Sequence, residues 1–510
     1  MISADMVGPD LYHPSRPFSR HVQLPAIRSL MQDGTFFSNA FCTVPLCSPS
    51  RASYLTGRYS YIQGNSERAP EGLEAELRSD DVIFPEYFRA AGYVTRQVGK
   101  CHVGAKKFID AFGNNDQPWD RWSPPVFDDD DFLAYQRSLG VKPQKYSREI
   151  VFRLQDRKTP GNSAGGWIVQ EDGKPFPLEA QYSYYLGRKA IETLEGLKAG
   201  GELDRHPLYL QLDIFDPHQP FSIPAGFEER ERELRQVVGL PGTYKEVQAR
   251  NFERAATEPE ITDIYRRYWG IYDPQTLVDY RVAYALQMEL VDHVIGMVIG
   301  KLKELGLYDQ TLIAFISDHG EMNGRRAIVD KGVYLYPDIV RVPMVFKLPA
   351  GTPREHAVVE TPASLLDLSQ TLLDAAGIEP EAKFDGMSLL PAIASGQGEE
   401  KRTLLFFGGW HVGVNFDCGI QHKASDGRRY LYSYNCTSTV DELFDLDSND
   451  AVNRIGDPEL AGVRREMIRE QGAALSSDPR WVGYWSEFRL AHYDDLPREQ
   501  GDMQLFEDGG

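Results

Sequence analysis

Thr311-Leu312-Ile313-Ala314-Phe315-Ile316-Ser317-Asp318-His319-Gly320 is an apolar run that ends abruptly on an acid, an imidazole and a glycine. A short segment that is apolar at nearly every position, rather than at alternate ones, predicts a strand buried on both faces. Residues 93–98, 208–215 and 342–348 have the same character, each bounded by Gly, Pro or Asp. Ahead of the quoted run, from about residue 277 to 305, Val282, Leu286, Leu290, Val294, Ile295 and Val298 recur at three- and four-residue steps, the pattern of a long helix. Such strands alternating with amphipathic helices indicate an α/β fold, a large mixed and mostly parallel sheet sandwiched by helices. In sheets of this kind ligands gather beyond the carboxyl ends of the strands. Gly99-Lys100-Cys101-His102, Asp216-Pro217-His218 and Asp318-His319-Gly320 each follow one of these runs. Three distant segments are therefore expected to deliver polar groups to one edge.

Further along the chain, a helix is expected near 364–376, followed by a turn at Asp385-Gly386. The character changes near residue 400, where short strand-like pieces (429–434, 442–446), a helix near 459–473 and an acidic, aromatic tail follow. This reads as a catalytic domain over 1–398 and a smaller C-terminal α+β subdomain over 399–510. Residues 106–177 are polar, Trp-rich and long for a connector, so they are expected to be a loop that shapes the pocket. The acidic run at 128–131 is expected to be a solvated turn. There is no internal repeat that would suggest a solenoid or propeller.

With 42% hydrophobic and 25% charged residues among 510, the chain has enough apolar material for one large core and an attached smaller unit. Its 55 basic and 75 acidic residues leave a net charge of −20, which disfavours nucleic acid and anionic lipid as partners. An anionic substrate must then be drawn in by a local positive site. The first thirty residues lack the basic and apolar pattern of a leader, and no run of about 18 apolar residues would cross a bilayer. As numbered, the chain is expected to be cytoplasmic and not membrane-bound, with periplasm or secretion open should a leader precede residue 1. A homo-oligomer is compatible with the composition. The five cysteines, Cys42, Cys47, Cys101, Cys418 and Cys436, form no CxxC pair and do not suggest a disulfide scaffold or zinc ribbon. Cys418 and Cys436 are expected to be free thiols.

Cys47 stands apart from these. It begins Cys47-Ser48-Pro49-Ser50-Arg51-Ala52-Ser53-Tyr54-Leu55-Thr56-Gly57-Arg58. Ser48 is suited to cap a helix, Pro49 to its first turn and Gly57 to its end, which places Cys47 just before a helix N-terminus. Unpaired amides and the helix dipole favour an anion there, and Arg51 adds fixed positive charge. This physics alone permits an ordinary low-pKa nucleophilic cysteine.

The string Cys-x-Pro-Ser-Arg followed by Leu-Thr-Gly-Arg resembles the signature of the type I sulfatases of the alkaline phosphatase superfamily, in which the cysteine is converted to formylglycine. Further segments resemble the family in order: Gly92-Tyr93 leading to Gly99-Lys100-Cys101-His102 (Cys101 replacing a tryptophan), residues 207–221 ending near Pro217-His218, Ser317-Asp318-His319-Gly320-Glu321, Asp330-Lys331-Gly332, residues 363–377 and residues 441–446.

The resemblance implies a metal cage of Asp5, Asp318, His319 and the residue-47 oxygen, holding one divalent ion, calcium first and manganese or magnesium as alternatives. It implies that Arg51 fixes the nucleophile, that Lys100 and Lys331 hold sulfate oxygens, that His218 is general acid toward the ester oxygen and that His102 is the base of the second step. The chemistry explains these residue types: a sulfate ester is anionic and its alcohol leaves poorly, so cations and a proton donor are needed. The expected partners are a small sulfated sugar, aryl or alkyl sulfate, and a formylglycine-generating or sulfatase-maturing enzyme that acts on Cys47.

There are departures from the family pattern. Most members carry two adjacent aspartates after the first strand, whereas Met6 follows Asp5 here; Asp10 is a candidate replacement. One oxygen ligand fewer and one imidazole more weaken a calcium preference. A single first aspartate with Asp-His also resembles phosphonate monoesterases and choline sulfatases. A phosphonate monoester or phosphodiester hydrolase using the same nucleophile is therefore an alternative, although Lys100 and His102 favour sulfate. A non-catalytic homologue that binds sulfated ligands is a second alternative.

Overall fold

The quoted run forms the strand Ile313–Ser317, buried at every position. A computed structural model of the chain describes residues 1–59, 77, 81–112, 114–354, 356–399, 402–409, 411–412, 415, 417–448 and 451–496. The acidic tail expected at the C-terminus lies largely outside these residues. Ile313–Ser317 pairs in parallel with Ile2–Ala4, which pairs in parallel with Leu208–Ile214. Val94–Lys100 and Asn114–Trp119 continue the parallel half of an eight-stranded sheet. On the other side the strand expected at 342–348 runs as Met344–Lys347, antiparallel to Ile313–Ser317, followed by Thr35–Phe37 and Val358–Val359. It departs from the parallel pattern because only short helical turns, Arg325–Ala327 and Pro337–Val340, separate it from its neighbour. A parallel return needs a full crossover.

The helix expected near 277–305 spans Pro274–Glu304. Asp273 starts it, its carboxylate accepting the Thr276 amide at 2.9 Å, with Pro274 next. It is long and apolar enough to cross a membrane, yet 83% of its most apolar window is buried inside the protein, where it packs on Tyr182–Ala199 and Pro25–Asp33. Its apolarity is that of a central core helix.

The segment expected to be a pocket loop is instead largely structured. It contains the edge strand Asn114–Trp119, the helix Asp130–Ser138 and an antiparallel pair, Gln144–Arg153 with Pro160–Gln170. That pair carries a third strand, Phe221–Ile223. The acidic run at 128–131 is likewise more than a solvated turn. Asp129 is buried, caps the helix through the amides of Asp131 and Phe132, and accepts the Tyr182 hydroxyl at 3.0 Å. Asp128, Asp130 and Asp131 are exposed as expected, the last two in the first turn of the helix, and Asp128 pairs at the surface with Arg121.

Toward the C-terminus, Leu404–Phe407, Asp417–Lys423, Arg429–Asn435 and Val440–Asp445 form an antiparallel sheet against which Ala461–Ser476 packs. Tyr336 meets Phe444 edge-on at 5.6 Å, and Leu335 lies against Gly419, so the apolar core runs unbroken from the large sheet into this one. Cys418 and Cys436 are not bridged.

Candidate active site

Asp5, Lys100, Asp318 and His319 stand at or just past the carboxyl ends of neighbouring parallel strands, so they converge on one edge. Cys47 meets them as the first residue of the helix Cys47–Thr56. The expected cap does not form: extended Leu46 precedes the helix, and the Ser48 hydroxyl donates instead to the His102 carbonyl at 2.6 Å. Pro49 stays in the first turn, where its missing N–H costs nothing. Gly57 ends the helix with φ 63°, and a Cβ there would strike the Phe384 ring at 2.8 Å. One turn in, the Ser50 hydroxyl donates to the Asp318 carbonyl at 2.5 Å, pinning the helix start to the sheet edge.

The Cys47 sulfur stands where the oxygens of a formylglycine would be. It lies 3.1 Å from His319 Nε2 and 3.6 Å from Asp5 Oδ1. Asp5, Cys47, Asp318 and His319 place one ligand atom each within 4.8 Å of one another, all buried. His319 donates Nδ1–H to the Gly320 carbonyl at 3.0 Å, which leaves the Nε2 lone pair facing the cluster. Each carboxylate divides its two oxygens. Asp5 turns Oδ2 to the Lys100 ammonium at 2.6 Å, and Asp318 turns Oδ2 to Arg51 Nε at 2.9 Å, leaving Oδ1 of both on the His319 side. A divalent ion fits this arrangement: two carboxylates, one imidazole nitrogen and the residue-47 side chain converge, oriented by their other partners and shielded from water. Met6 adds no ligand but donates its N–H to Asp318 Oδ1 at 3.1 Å, with its backbone at φ 64°. Asp10 does not replace the second aspartate, because Arg325 at 2.8 Å and Arg281 at 3.6 Å hold it elsewhere.

Arg51 is fully buried and reaches three acids: Asp318 at 2.9 Å, Asp5 at 3.5 Å and Asp213 at 3.7 Å. Burial would push the Asp5 carboxyl up, but Lys100 and its other positive neighbours hold it well below the usual range. At Asp213 burial prevails and the carboxyl is pushed up, while Ser3, Gln97 and Gln211 donate to it. Burial pulls the Lys100 pKa down, but Asp5 and its other acidic neighbours together raise it above the usual value, so the ammonium stays charged.

Lys331 and His218 meet on the other flank, Nζ 2.6 Å from Nε2. His218 turns Nδ1–H to the Gln219 carbonyl, so its Nε2 accepts from the ammonium. Burial first, and Lys331 second, push its pKa down to about 3. Lys331 also lies 3.4 Å from Asp330, whose φ is 73°. His102 is half-buried beyond Lys100 with φ 53°, tied to the nucleophile helix through its carbonyl.

Several residues of the site escaped the sequence reading. Asp213 interrupts an otherwise apolar strand, a signal that was present in the run 208–215. Trp122 lies within the segment expected to shape the pocket, but nothing in its spacing pointed to the site; its carbonyl accepts from Lys100 at 3.0 Å and its ring stands 6.2 Å from that of His218. Tyr265 donates to or accepts from His411 at 2.8 Å and lies against Gly332, which brings the C-terminal part of the chain to the Lys331 flank. No local pattern marks that meeting.

A residue at a helix start, facing a buried carboxylate and imidazole cluster on the carboxyl edge of a mostly parallel sheet, fits the arrangement of the alkaline phosphatase superfamily of hydrolases. The Sulfatase family model matches residues 15–378, most of the chain, and a second model, N-sulphoglucosamine sulphohydrolase, C-terminal, matches residues 324–475. The chain belongs to the sulfatase family. It is 26% identical over 456 residues to "Uncharacterized sulfatase YidJ" of Escherichia coli (strain K12), covering 86% of this chain and 80% of the relative. It is 25% identical over 481 residues to "Arylsulfatase K" of Xenopus laevis, covering 89% and 78%. Its fold is similar to that of phosphonate monoester hydrolase SpPMH from Silicibacter pomeroyi, with TM-score 0.69, 21% identity, and 92% and 94% of the two chains covered. Family membership implies a divalent metal and formylglycine, with which the Asp5, Cys47, Asp318 and His319 cluster is compatible.

Proposed function

We propose that the protein hydrolyses the sulfate ester of a small sugar, aryl or alkyl alcohol, with Cys47 converted to formylglycine by a maturing enzyme. One observation carries this reading: residue 47 lies at a helix start against a two-carboxylate, one-imidazole cage, with buried Arg51 and Lys100 paired to those carboxylates and Lys331 joined to His218, whose ring stands 6.4 Å from that of His319. Asp5, Asp213, Asp318 and Asp330 balance these cations, so a divalent ion in the cage would make the site net attractive to an anionic group.

A divalent ion held by Asp5, Asp318, His319 and the residue-47 oxygen would supply electrophilic stabilisation of the sulfate group. A formylglycine hydrate offers two hydroxyls, one to attack sulfur and one to release sulfate, which a thiol or serine lacks. Calcium is the first choice of ion; the imidazole and the missing second aspartate also admit manganese and magnesium. Arg51 orients residue 47 and the two cage carboxylates. Lys100 and Lys331 bind sulfate oxygens, and the Lys331–His218 pair delivers a proton to the departing alcohol oxygen. His102, on the Lys100 side, serves as base for sulfate release.

The test is turnover of an aryl sulfate against an aryl phosphonate by one metal-loaded sample. Faster sulfate release supports the proposal, and clear preference for the phosphonate overturns it in favour of a phosphonate monoester hydrolase. Intact mass separates both from a non-catalytic homologue: an active preparation should be roughly 18 Da lighter than the chain with a thiol at residue 47.

A further inference from the structure

The groups assigned to the sulfate and the leaving oxygen are buried: Lys100 is 0% exposed, His218 1% and Lys331 2%. Trp122, by contrast, is 50% exposed while meeting Lys100 and His218. Its carbonyl accepts from Lys100 Nζ at 3.0 Å, and its ring stands 6.2 Å from the His218 imidazole at a tilt of 46°. Phe215 stacks on that imidazole at 4.9 Å from the interior. His218 therefore has an inner aromatic neighbour and an outer one, and the outer one faces solvent.

The position of Trp122 is held from both sides. Asp120 accepts the Gly104 amide at 3.0 Å, and Arg121 donates to the Ser123 carbonyl at 3.2 Å and binds Asp128. Its indole makes no other ring contact among the described residues and is not part of the apolar core. An isolated exposed aromatic is ordinary. This one is informative because its backbone is fixed to a sulfate-binding lysine and its ring lies beside the group that meets the leaving oxygen.

We propose that Trp122 is a specificity-determining residue, a platform on which the alcohol part of the ester stacks, and that it selects ring-shaped alcohols, sugar or aryl, over open-chain ones. This rests on the sulfate-ester reading. With sulfate held among the buried cations and the ester oxygen near His218, the alcohol must extend toward solvent, past the indole. A rigid ring presents a flat apolar face to it. A flexible chain presents none and loses more conformational freedom on ordering.

The test is calorimetric titration of the metal-loaded Cys47→Ala protein, which binds without turnover, with phenyl sulfate, glucose 6-sulfate and butyl sulfate. Adding Trp122→Ala should weaken the ring sulfates about tenfold and butyl sulfate by no more than about twofold. Trp122→Phe should restore most of the loss. The variant keeps the backbone carbonyl, so the Lys100 contact survives, and equal weakening of all three ligands overturns the proposal by showing a general effect on the site. No preference for rings in the parent, or no change on substitution, also overturns it. Which ring sulfate is more affected tells sugar from aryl. Failure of the sulfatase reading shows separately, as absence of sulfate release from all three esters by the matured, unsubstituted protein.

Discussion

Lys331 donates to His218 across 2.6 Å, and the histidine can accept because its other nitrogen donates to the Gln219 carbonyl. With the imidazole pKa pushed down to about 3 by burial and by this ammonium, the transferable proton of the pair sits on the lysine. In the proposed reaction it would pass to the leaving oxygen either directly or through the imidazole. Lys331→Met and His218→Asn should each slow esters of weakly acidic alcohols by about 10²–10³-fold, the usual worth of a positioned acid. Esters of acidic phenols need less help and should lose less. Rates across a series of aryl sulfates of graded phenol acidity check this; losses uniform along the series would count against the assignment.

Arg51 is the common counter-charge of Asp5, Asp213 and Asp318. Replacing it with methionine strands buried acids, and the expected loss of stability is about 3–5 kcal/mol. Arg51→Lys should lose less, because charge is retained, but one ammonium cannot present the planar fork that spans these carboxylates. Chemical denaturation of the three proteins at neutral pH measures the difference. A methionine variant as stable as the parent would show that the acids are compensated in some other way.

Gly99 precedes Lys100 at φ +106°, and a Cβ there would lie 2.0 Å from the Asp213 carbonyl oxygen. Gly99→Ala should cost about 3 kcal/mol and lower turnover with it, since the strand must shift where it aims Lys100 at Asp5. Gly92, at φ +86° with nothing within 4 Å of a Cβ, is the control. Gly92→Ala should show only backbone strain, about 1 kcal/mol, with turnover retained. Equal effects at both positions would mean that the close approach to Asp213 is unimportant.

Glu442 is fully buried, and burial, reinforced by Glu258, raises its carboxyl to about 8 against a usual 4.5. A carboxyl whose folded pKa exceeds its unfolded one takes up a proton on folding between those values. Its contribution therefore falls as pH rises from about 4.5 to about 8. Glu442→Gln removes that dependence, so the melting temperature of the variant relative to the parent should climb over this interval. Melting curves at pH 5, 6.5 and 8 check it, and a constant difference would place the proton elsewhere.

The strands at 94–100, 208–214 and 313–317 were legible because each is a local apolar run ended by a polar break. The central helix was legible from its period, and Asp5, Cys47, Lys100, His218, Asp318, His319 and Lys331 were named from their placement after strands or from the motif. The errors arose where local signals had competing uses. Ser48 had the right chemistry for a cap, but a nearby carbonyl, that of His102, took its hydroxyl. Residues 106–177 looked like loop because an exposed antiparallel pair carries many polar residues, and its partner strand Phe221–Ile223 is supplied from far along the chain.

By itself the sequence determined the class of fold, the edge at which the polar cluster gathers and the motif that singles out Cys47, since period, strand termini and a contiguous motif are all local properties. Tertiary structure alone decided which charges neutralise which. The N-terminal strand Ile2–Ala4 is inserted between Leu208–Ile214 and Ile313–Ser317. This insertion places Asp5 beside Lys100, and the pairing of Val94–Lys100 with both Leu208–Ile214 and Asn114–Trp119 brings Trp122 to the open side of His218. Strand order is set by how whole faces pack and pair, and no short stretch of chain encodes it.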